Sequence, residues 1–324
     1  MIVLGFTYWS GSHDSSAAIV RDGMLVAAAE QERFSREKHD GRIPLDAIAY
    51  CLDAAGVDMK DVDCIAYPDR PFRTGTDSQL AEMKLSTLSA MVAAVTARRR
   101  SLVHKQALDA AVSLGAVPNS GMNPTVAEGF NTIASRFGPL PRIRYYGHHL
   151  AHAAAAYLTS GFDDSAVLTM DGRGGPLSAA SWRANGETIE KLCEEPYTNS
   201  LGWFYRDCTR YLGLGDFGEG KLMGLAAYGR PTVHLDSMKR LIDTVEASWY
   251  RYHAAPDAAA AGFTRRDDEE ILSGPYADFA ASTQHALERG YERAARSALG
   301  TSRSQNLCLG GGVALNCAAN GKLL

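Results

Sequence analysis

The chain has 324 residues, of which 46% are apolar and 22% charged, and its net charge is −4. Such values describe a globular chain with ample core and about two domains, and the acidic balance argues against a nucleic-acid platform built on charge. There is no run of about 18 apolar residues, so no membrane span is expected, and the start, MIVLGFTYWSGSHDSS, lacks the basic region of a signal peptide.

The opening MIVLGFTY reads as a buried strand, followed by a polar turn, WSGSHDSS. AAIVRDGMLVAAAEQE then reads strand, Asp22-Gly23 turn, strand, a hairpin signal. PLDAIAYCLDAAGV has helical spacing, with Ile48, Cys51, Leu52 and Ala55 on one face, and DVDCIAYP is another short strand. Residues 77–140 read as a helical insertion punctuated by Pro118, Pro124, Pro139 and Pro141. Its ARRRSLVHK segment is either a solvated helix face or a contact for an acidic ligand.

Near residue 165 the opening pattern returns. DSAVLTMDGRGGPLSAASWRANGETIEKL reads strand, glycine-rich turn, strand, Asn185-Gly186 turn, strand. Residues 2–31 and 166–192 thus carry the same device, which predicts an α/β fold duplicated into two lobes, 1–163 and 164–324. Two loops facing a cleft is how actin-like (ASKHA) ATP-binding proteins are built. Residues 253–275 are poor in bulky apolar side chains and read as a mobile surface segment; a helix over roughly 276–299 then leads into NLCLGGGVALN. The six cysteines, Cys51, Cys64, Cys193, Cys208, Cys308 and Cys317, form no CxxC pair. They read as buried free thiols of a reducing cytoplasm, without a zinc knuckle.

Two familiar patterns are decoys. Gly213-x-Gly215-x-x-Gly218 matches a dinucleotide fingerprint, but FYRDCTRYL before it reads helical where a strand is needed. Gly215 to Lys221 matches a P-loop until Leu222 stands where a Ser or Thr would hold magnesium.

Other residues carry chemistry. In GHHLAHAAAAY, His148 and His152 are four apart, so a helix points both from one face toward one ion or one structural partner. Asp171 ends an apolar strand; two imidazoles and one carboxylate suit Fe(II), Mn(II) or Zn(II). His149 is rotated about 100° away on a helix. In GSHDSSAA, His13, Ser15 and Ser16 follow the first strand, either cradling phosphate or carbamoyl oxygens or forming a polar turn. Lys221, in GEGKLMGLAAYG, pairs either with a phosphate or with Glu219. Gly172 follows Asp171. Gly310, Gly311 and Gly312 make room for a flat ring or phosphate, or for a tight packing turn, and Asn316 begins the next helix.

Together, GFTYWSGSHDSSAAIVRDGMLVAAAEQERFSREKHD, HHLAHAAAAYLTSGFDDSAVLTMDGRGG, GEGKLMGLAAYG and NLCLGGGVALN make the chain similar to the NodU/CmcH family of O-carbamoyltransferases. The resemblance implies an actin-like, TsaD-like domain and a two-stage reaction. Carbamoyl phosphate and ATP give carbamoyl adenylate, and an acceptor hydroxyl then takes the carbamoyl group as AMP leaves. By the resemblance, His148, His152 and Asp171 hold a divalent iron. His13 matches the histidine of the family's first loop, and Gly310, Gly311, Gly312 and Asn316 match the loop that lies along the nucleotide. From the residues themselves, His13 and Lys221 are expected to be catalytic, and Ser15, Ser16 and Gly172 to contact the carbamoyl donor or nucleotide. The acceptor is a hydroxyl of a sugar or natural product, such as an antibiotic.

The family continues past Leu324 with another metal-ligating aspartate and a YrdC-like, adenylate-forming domain. The chain alone is therefore expected to be an incomplete, inactive transferase, seeking either a homodimer or the missing C-terminal segment. An actin-like small-molecule kinase and a non-catalytic assembly module are the competing readings; tRNA modification is disfavoured by the acidic balance.

Overall fold

Alternation along the first strand sets the first core. The structure, a computed structural model, describes residues 1–8, 13–69, 72–73, 120–122, 124–244, 248–266, 270–272 and 274–323. β1 (Ile2–Thr7) buries Leu4 and Phe6, every second residue. β2 (Ser16–Arg21) and β3 (Met24–Glu30) form the expected hairpin, turning at Asp22 and Gly23, both at positive φ. After α1 (Glu32–Ser35) comes α2 (Leu45–Ala55), whose predicted stripe of Ile48, Cys51, Leu52 and Ala55 is buried. Burial pushes the Cys51 thiol up to about 11. β4 (Cys64–Tyr67), the short pair β5 (Phe72–Arg73) and β6 (Ser120–Met122), α3 (Pro124–Phe137) and β7 (Ile143–Tyr145) follow. The sheet order is β3-β2-β1-β4-β7, antiparallel through the hairpins and parallel from β1 through β4 to β7. Phe6, Tyr67 and Phe130 meet edge to face with ring centres 5.3–5.8 Å apart, which closes this core against α3.

The second unit repeats the scheme. After α4 (His148–Leu158), β8 (Asp164–Gly174), β9 (Leu177–Asn185) and β10 (Thr188–Pro196) form an antiparallel meander. α5 (Leu201–Tyr211), α6 (Glu219–Ala226), α7 (Leu235–Leu241), the β11 (Ile242–Asp243)–β12 (Arg251–Tyr252) pair, α8 (Ala258–Ala261) and α9 (Pro275–Ser302) lead to β13 (Leu307–Gly310) and α10 (Cys317–Asn320). β13 pairs parallel to β8, giving the order β10-β9-β8-β13. Each unit thus has three antiparallel strands and a parallel strand beside the first. This is the duplicated actin-like α/β arrangement that the sequence implies.

Some expectations change. The compact units divide between Tyr146 and Gly147 rather than at 163/164, because α4 packs on β8, β9 and β13. Of the helical insertion, 124–137 form α3, while 77–119, with the ARRRSLVHK segment, lie outside the described residues. Of the 253–275 segment, the described part 253–266 lies mostly at the surface, as expected, and is fastened at two points. Asp257 caps α8, Ala261 is fully buried, and the Phe263 ring sits 5.3–5.7 Å from those of Tyr211, His234, Tyr276 and Phe279. All six cysteines are free, but only Cys51, Cys208 and Cys308 are buried; Cys64 is half-buried, and Cys193 and Cys317 are exposed. Among the described residues, no helix is long and apolar enough to cross a membrane.

Two positions test this packing. Just beyond α6, a Cβ on Gly229 would stand 1.9 Å from the backbone oxygen of Ala277 in α9. Gly229→Ala is expected to cost about 1–3 kcal/mol in urea denaturation, because backbone has to move. His149, buried under α4, has Nδ1 3.1 Å from the Thr169 hydroxyl and Nε2 3.3 Å from the Leu177 carbonyl oxygen. Burial, aided by His148, lowers its pKa from 6.5 to about 4. The unfolded chain therefore binds the extra proton first. The contribution of His149 is fully present above about 6.5 and declines by about 1.4 kcal/mol per pH unit as pH falls toward about 4. His149→Gln should flatten that slope in denaturation measured across the window.

Candidate functional site

The site follows from one alternation. Along β8, Ala166, Leu168 and Met170 face the core shared with α5 and α9. Val167, Thr169 and Asp171 occupy the other face, toward α4. On α4 the buried stripe is His149, Ala153 and Tyr157, so His149 meets Thr169 while His148 and His152, one turn apart, meet Asp171.

The three donors converge. Nε2 of His148 and Nε2 of His152 are 3.0 Å apart, and each lies 3.1–3.2 Å from Oδ2 of Asp171. Hydrogen bonds cannot satisfy this triangle when both rings are neutral with their protons on Nδ1, since three lone-pair atoms then face one another. A cation satisfies it. Ligands about 2.1 Å from one ion and at right angles stand about 3.0 Å apart, the spacing of a two-histidine, one-carboxylate face. The Asp171 carboxyl is partly buried, which raises its pKa, but hydrogen bonds and charge from His148 and His152 outweigh this and hold it far below the usual carboxylate range. The Asp171 carboxyl is therefore ionised at neutral pH.

Asp171 is placed from both sides. Its Oδ1 accepts from the Gly172 amide at 2.8 Å. Ser200, fully buried at the start of α5, accepts from the Trp203 amide and donates to the Gly172 carbonyl at 2.7 Å. This couples the helix cap to the ligand-bearing strand. A Cβ on Gly202 would stand 2.7 Å from the Gly172 nitrogen, so α5 and β8 touch backbone to backbone. Sequence reasoning missed Ser200, Gly202 and Thr169. The period-two spacing of 167, 169 and 171 was the available signal for Thr169; nothing local marks the other two.

The glycine loop runs directly against this centre. A Cβ on Gly310 would stand 3.0 Å from the His152 carbonyl oxygen, one on Gly311 2.3 Å from that of Met170, and one on Gly312 3.0 Å from Asp171 Oδ1. Gly311 also has φ +88. Gly310 and Gly311 therefore serve the protein's own close packing, and Gly312 leaves the Asp171 carboxylate uncovered by a side chain. Asn316 caps α10 and exchanges two amide hydrogen bonds with Gln284, so its side chain is committed inside the unit. Lys221 is exposed on α6 with Nζ 3.5 Å from the Leu214 carbonyl. The dinucleotide-like glycines do follow a helix, α5.

In the first unit, Ser15 is fully buried and its hydroxyl lies 2.9 Å from the Asp40 carbonyl and 2.5 Å from that of Arg42. Ser16 opens β2, paired with Thr7. These serines hold the turn, and His13 beside them is exposed, engaged with Asp14.

The chain is similar to known proteins. A Synechocystis protein called uncharacterized protein sll1178 is 35% identical over 96% of this chain and 51% of its own length. Nodulation protein NolNO of Sinorhizobium fredii is 34% identical over 96% of this chain and 42% of its own. The chain thus spans about half the length of these relatives. A ROK hexokinase structure from Thermus thermophilus is 14% identical, with a TM-score of 0.41 over the whole of this chain and 89% of that one. Residues 3–324 match the family model for the N-terminus of carbamoyltransferases, and the chain belongs to that family.

Proposed function

We propose that this chain carries the group-transfer site of an O-carbamoyltransferase, passing a carbamoyl group to a hydroxyl of a sugar or natural product. The observation that supports it most is the mutual 3.0–3.2 Å spacing of His148, His152 and Asp171 beneath an open glycine loop. The donor set fits a divalent ion, Fe(II) by preference for two histidines and one carboxylate. Such an ion supplies Lewis-acid polarisation of a carbamoyl or phosphate oxygen.

The protein's residues prepare this chemistry. Asp171 is ionised and meets both rings through one oxygen. Its other oxygen is tied to the Gly172 amide, so the carboxylate does not rotate. Gly312, lacking a side chain, leaves the donor group space beside the carboxylate. In the proposed sequence, water releases orthophosphate from carbamoyl phosphate, and the resulting carbamate displaces pyrophosphate from ATP to give carbamoyl adenylate. The acceptor oxygen then forms the new bond to the carbamoyl carbon as the bond to AMP breaks. AMP departs with that electron pair, a better leaving group than hydroxide. Lys221, exposed on α6, is the cation in reach of an anionic donor approaching that helix.

Two measurements check this reading. Fe(II)- or Zn(II)-loaded protein is expected to hold one equivalent by elemental analysis, weakly in this chain alone because a further ligand is expected beyond it. His148→Ala/His152→Ala should lose it, whereas His149→Ala keeps it because that ring faces Thr169. Product analysis with carbamoyl phosphate, ATP and a hydroxyl acceptor, on this chain joined with the rest of the relatives' length, should give AMP and pyrophosphate. ADP would instead indicate a kinase.

A further inference from the structure

We propose that the indole N–H of Trp203 is a hydrogen-bond donor to an anionic phosphoryl oxygen of the carbamoyl donor, which makes Trp203 a positioning residue of the Asp171 site. This rests on the carbamoyl-transfer reading. It starts from where the ring stands. A Cβ on Gly172 would lie 3.1 Å from Trp203 Cδ1 and 3.3 Å from Nε1. The nitrogen-bearing edge of the indole therefore lies against the residue that follows Asp171, and the missing side chain of Gly172 admits it.

Among the described residues, this N–H has no acceptor. The contacts of Trp203 are its backbone amide on the Ser200 hydroxyl, at 3.0 Å, and two contacts of its ring. Trp182 shows the other outcome, with Nε1 3.1 Å from the Thr169 hydroxyl. An indole nitrogen only donates, so what Trp203 lacks is an acceptor. Its ring is half-buried, which keeps it within reach of a ligand at the turn.

The ring is also fixed and polarised. Tyr197 meets it edge to face, with centres 5.6 Å apart and planes at 77°. The Tyr197 amide is in turn tied to the Pro176 carbonyl, 3.0 Å away in the turn between β8 and β9. The Arg206 guanidinium lies over the indole, 5.1 Å from its centre. Asp207 Oδ1 holds it there, accepting from Arg206 Nε at 3.0 Å and Nη2 at 2.8 Å, while Asp207 Oδ2 accepts from the Tyr252 hydroxyl at 2.6 Å. A cation over an aromatic face draws π density toward itself and leaves the N–H more positive. Arg173, two residues past Asp171, lays its own guanidinium over Tyr197, 5.0 Å from the ring centre. The N–H thus sits in a strip carrying two guanidinium groups, surroundings that favour an anionic oxygen over a neutral carbonyl.

The test reads the indole directly. The chain labelled with 15N-indole tryptophan, in saturating Zn(II), gives signals for Trp9, Trp182, Trp203 and Trp249, and Trp203→Phe identifies one of them. Titration with inorganic phosphate, carbamoyl phosphate or AMP is expected to move the Trp203 N–H proton downfield, while Trp182, already bonded to Thr169, moves little. A shift with carbamoyl phosphate and not AMP assigns the oxygen to that donor; the reverse assigns it to the adenylate. Trp203→Phe keeps a ring for Tyr197 and Arg206 and should raise the phosphate dissociation constant, read by calorimetry, about tenfold. Benzothienylalanine at position 203, which has sulfur in place of the N–H and the same shape, should do likewise. A Trp203 signal that all three phosphoryl compounds leave unmoved overturns the proposal. So does a shift caused by neutral methyl carbamate and not by the phosphoryl compounds. So does a benzothienyl protein that binds phosphate as tightly as the unaltered one. If the N–H follows phosphoryl ligands but the protein joined with the rest of the relatives' length transfers no carbamoyl group, the functional reading fails and the assignment of Trp203 stands.

Discussion

The negative charge of Asp171, held beneath α4, is the constraint on which the second unit's site depends. It sits where the strand alternation of β8 crosses the helical spacing of α4. Its two oxygens serve different masters, one for the histidines and one for the Gly172 amide. Because the carboxyl stays ionised far below neutral pH, the two imidazoles meet a fixed charge rather than one that comes and goes. Everything else nearby is arranged to let backbone reach this charge. Gly202 brings α5 against Gly172, Gly311 lets β13 lie against Met170, and Gly312 leaves the carboxylate exposed on that side.

The glycines illustrate how one sequence feature serves fold and function together. A GGG run reads as space for a ligand. Two of its three positions have that space occupied by the protein itself, at 3.0 Å for Gly310 and 2.3 Å for Gly311. The parallel pairing of β13 with β8 requires this approach, and the same pairing delivers the loop to Asp171. Asn316 repeats the theme, because its amide completes a buried network with Gln284, Glu288 and Tyr205 that fixes where the loop ends.

The first unit solves a similar problem with charges. Asp40 and Glu32 have carboxyl groups held below their usual range, Asp40 chiefly by hydrogen bonds from Arg42 and Glu32 chiefly by the one from Lys38. Both act on the turn that carries His39, and Ser15 ties that turn to the one carrying His13 and Asp14. A serine that reads in isolation as a ligand contact thus becomes the strut of a loop.

Local pattern determined much of this protein. Period-two runs, the Asp22-Gly23 and Asn185-Gly186 turns, the α2 stripe and the repeated hairpin device are short-range properties of the chain, and they were enough for the duplicated α/β fold. The i,i+4 spacing likewise put His148 and His152 on one face and turned His149 aside. What local pattern left open was decided by contacts between segments distant in the chain. Phe263 fastens its surface segment because Tyr211, His234 and Phe279 arrive from elsewhere in the chain. α4 joins the second unit because its partners, β8 and β13, are brought together only by a parallel pairing across about 140 residues. His39 reaches Asp14 because the β2–β3 hairpin returns the chain beside Ser15. A side chain's partner is set by where the backbone returns, and that return depends on burying the whole core rather than on the residues beside it.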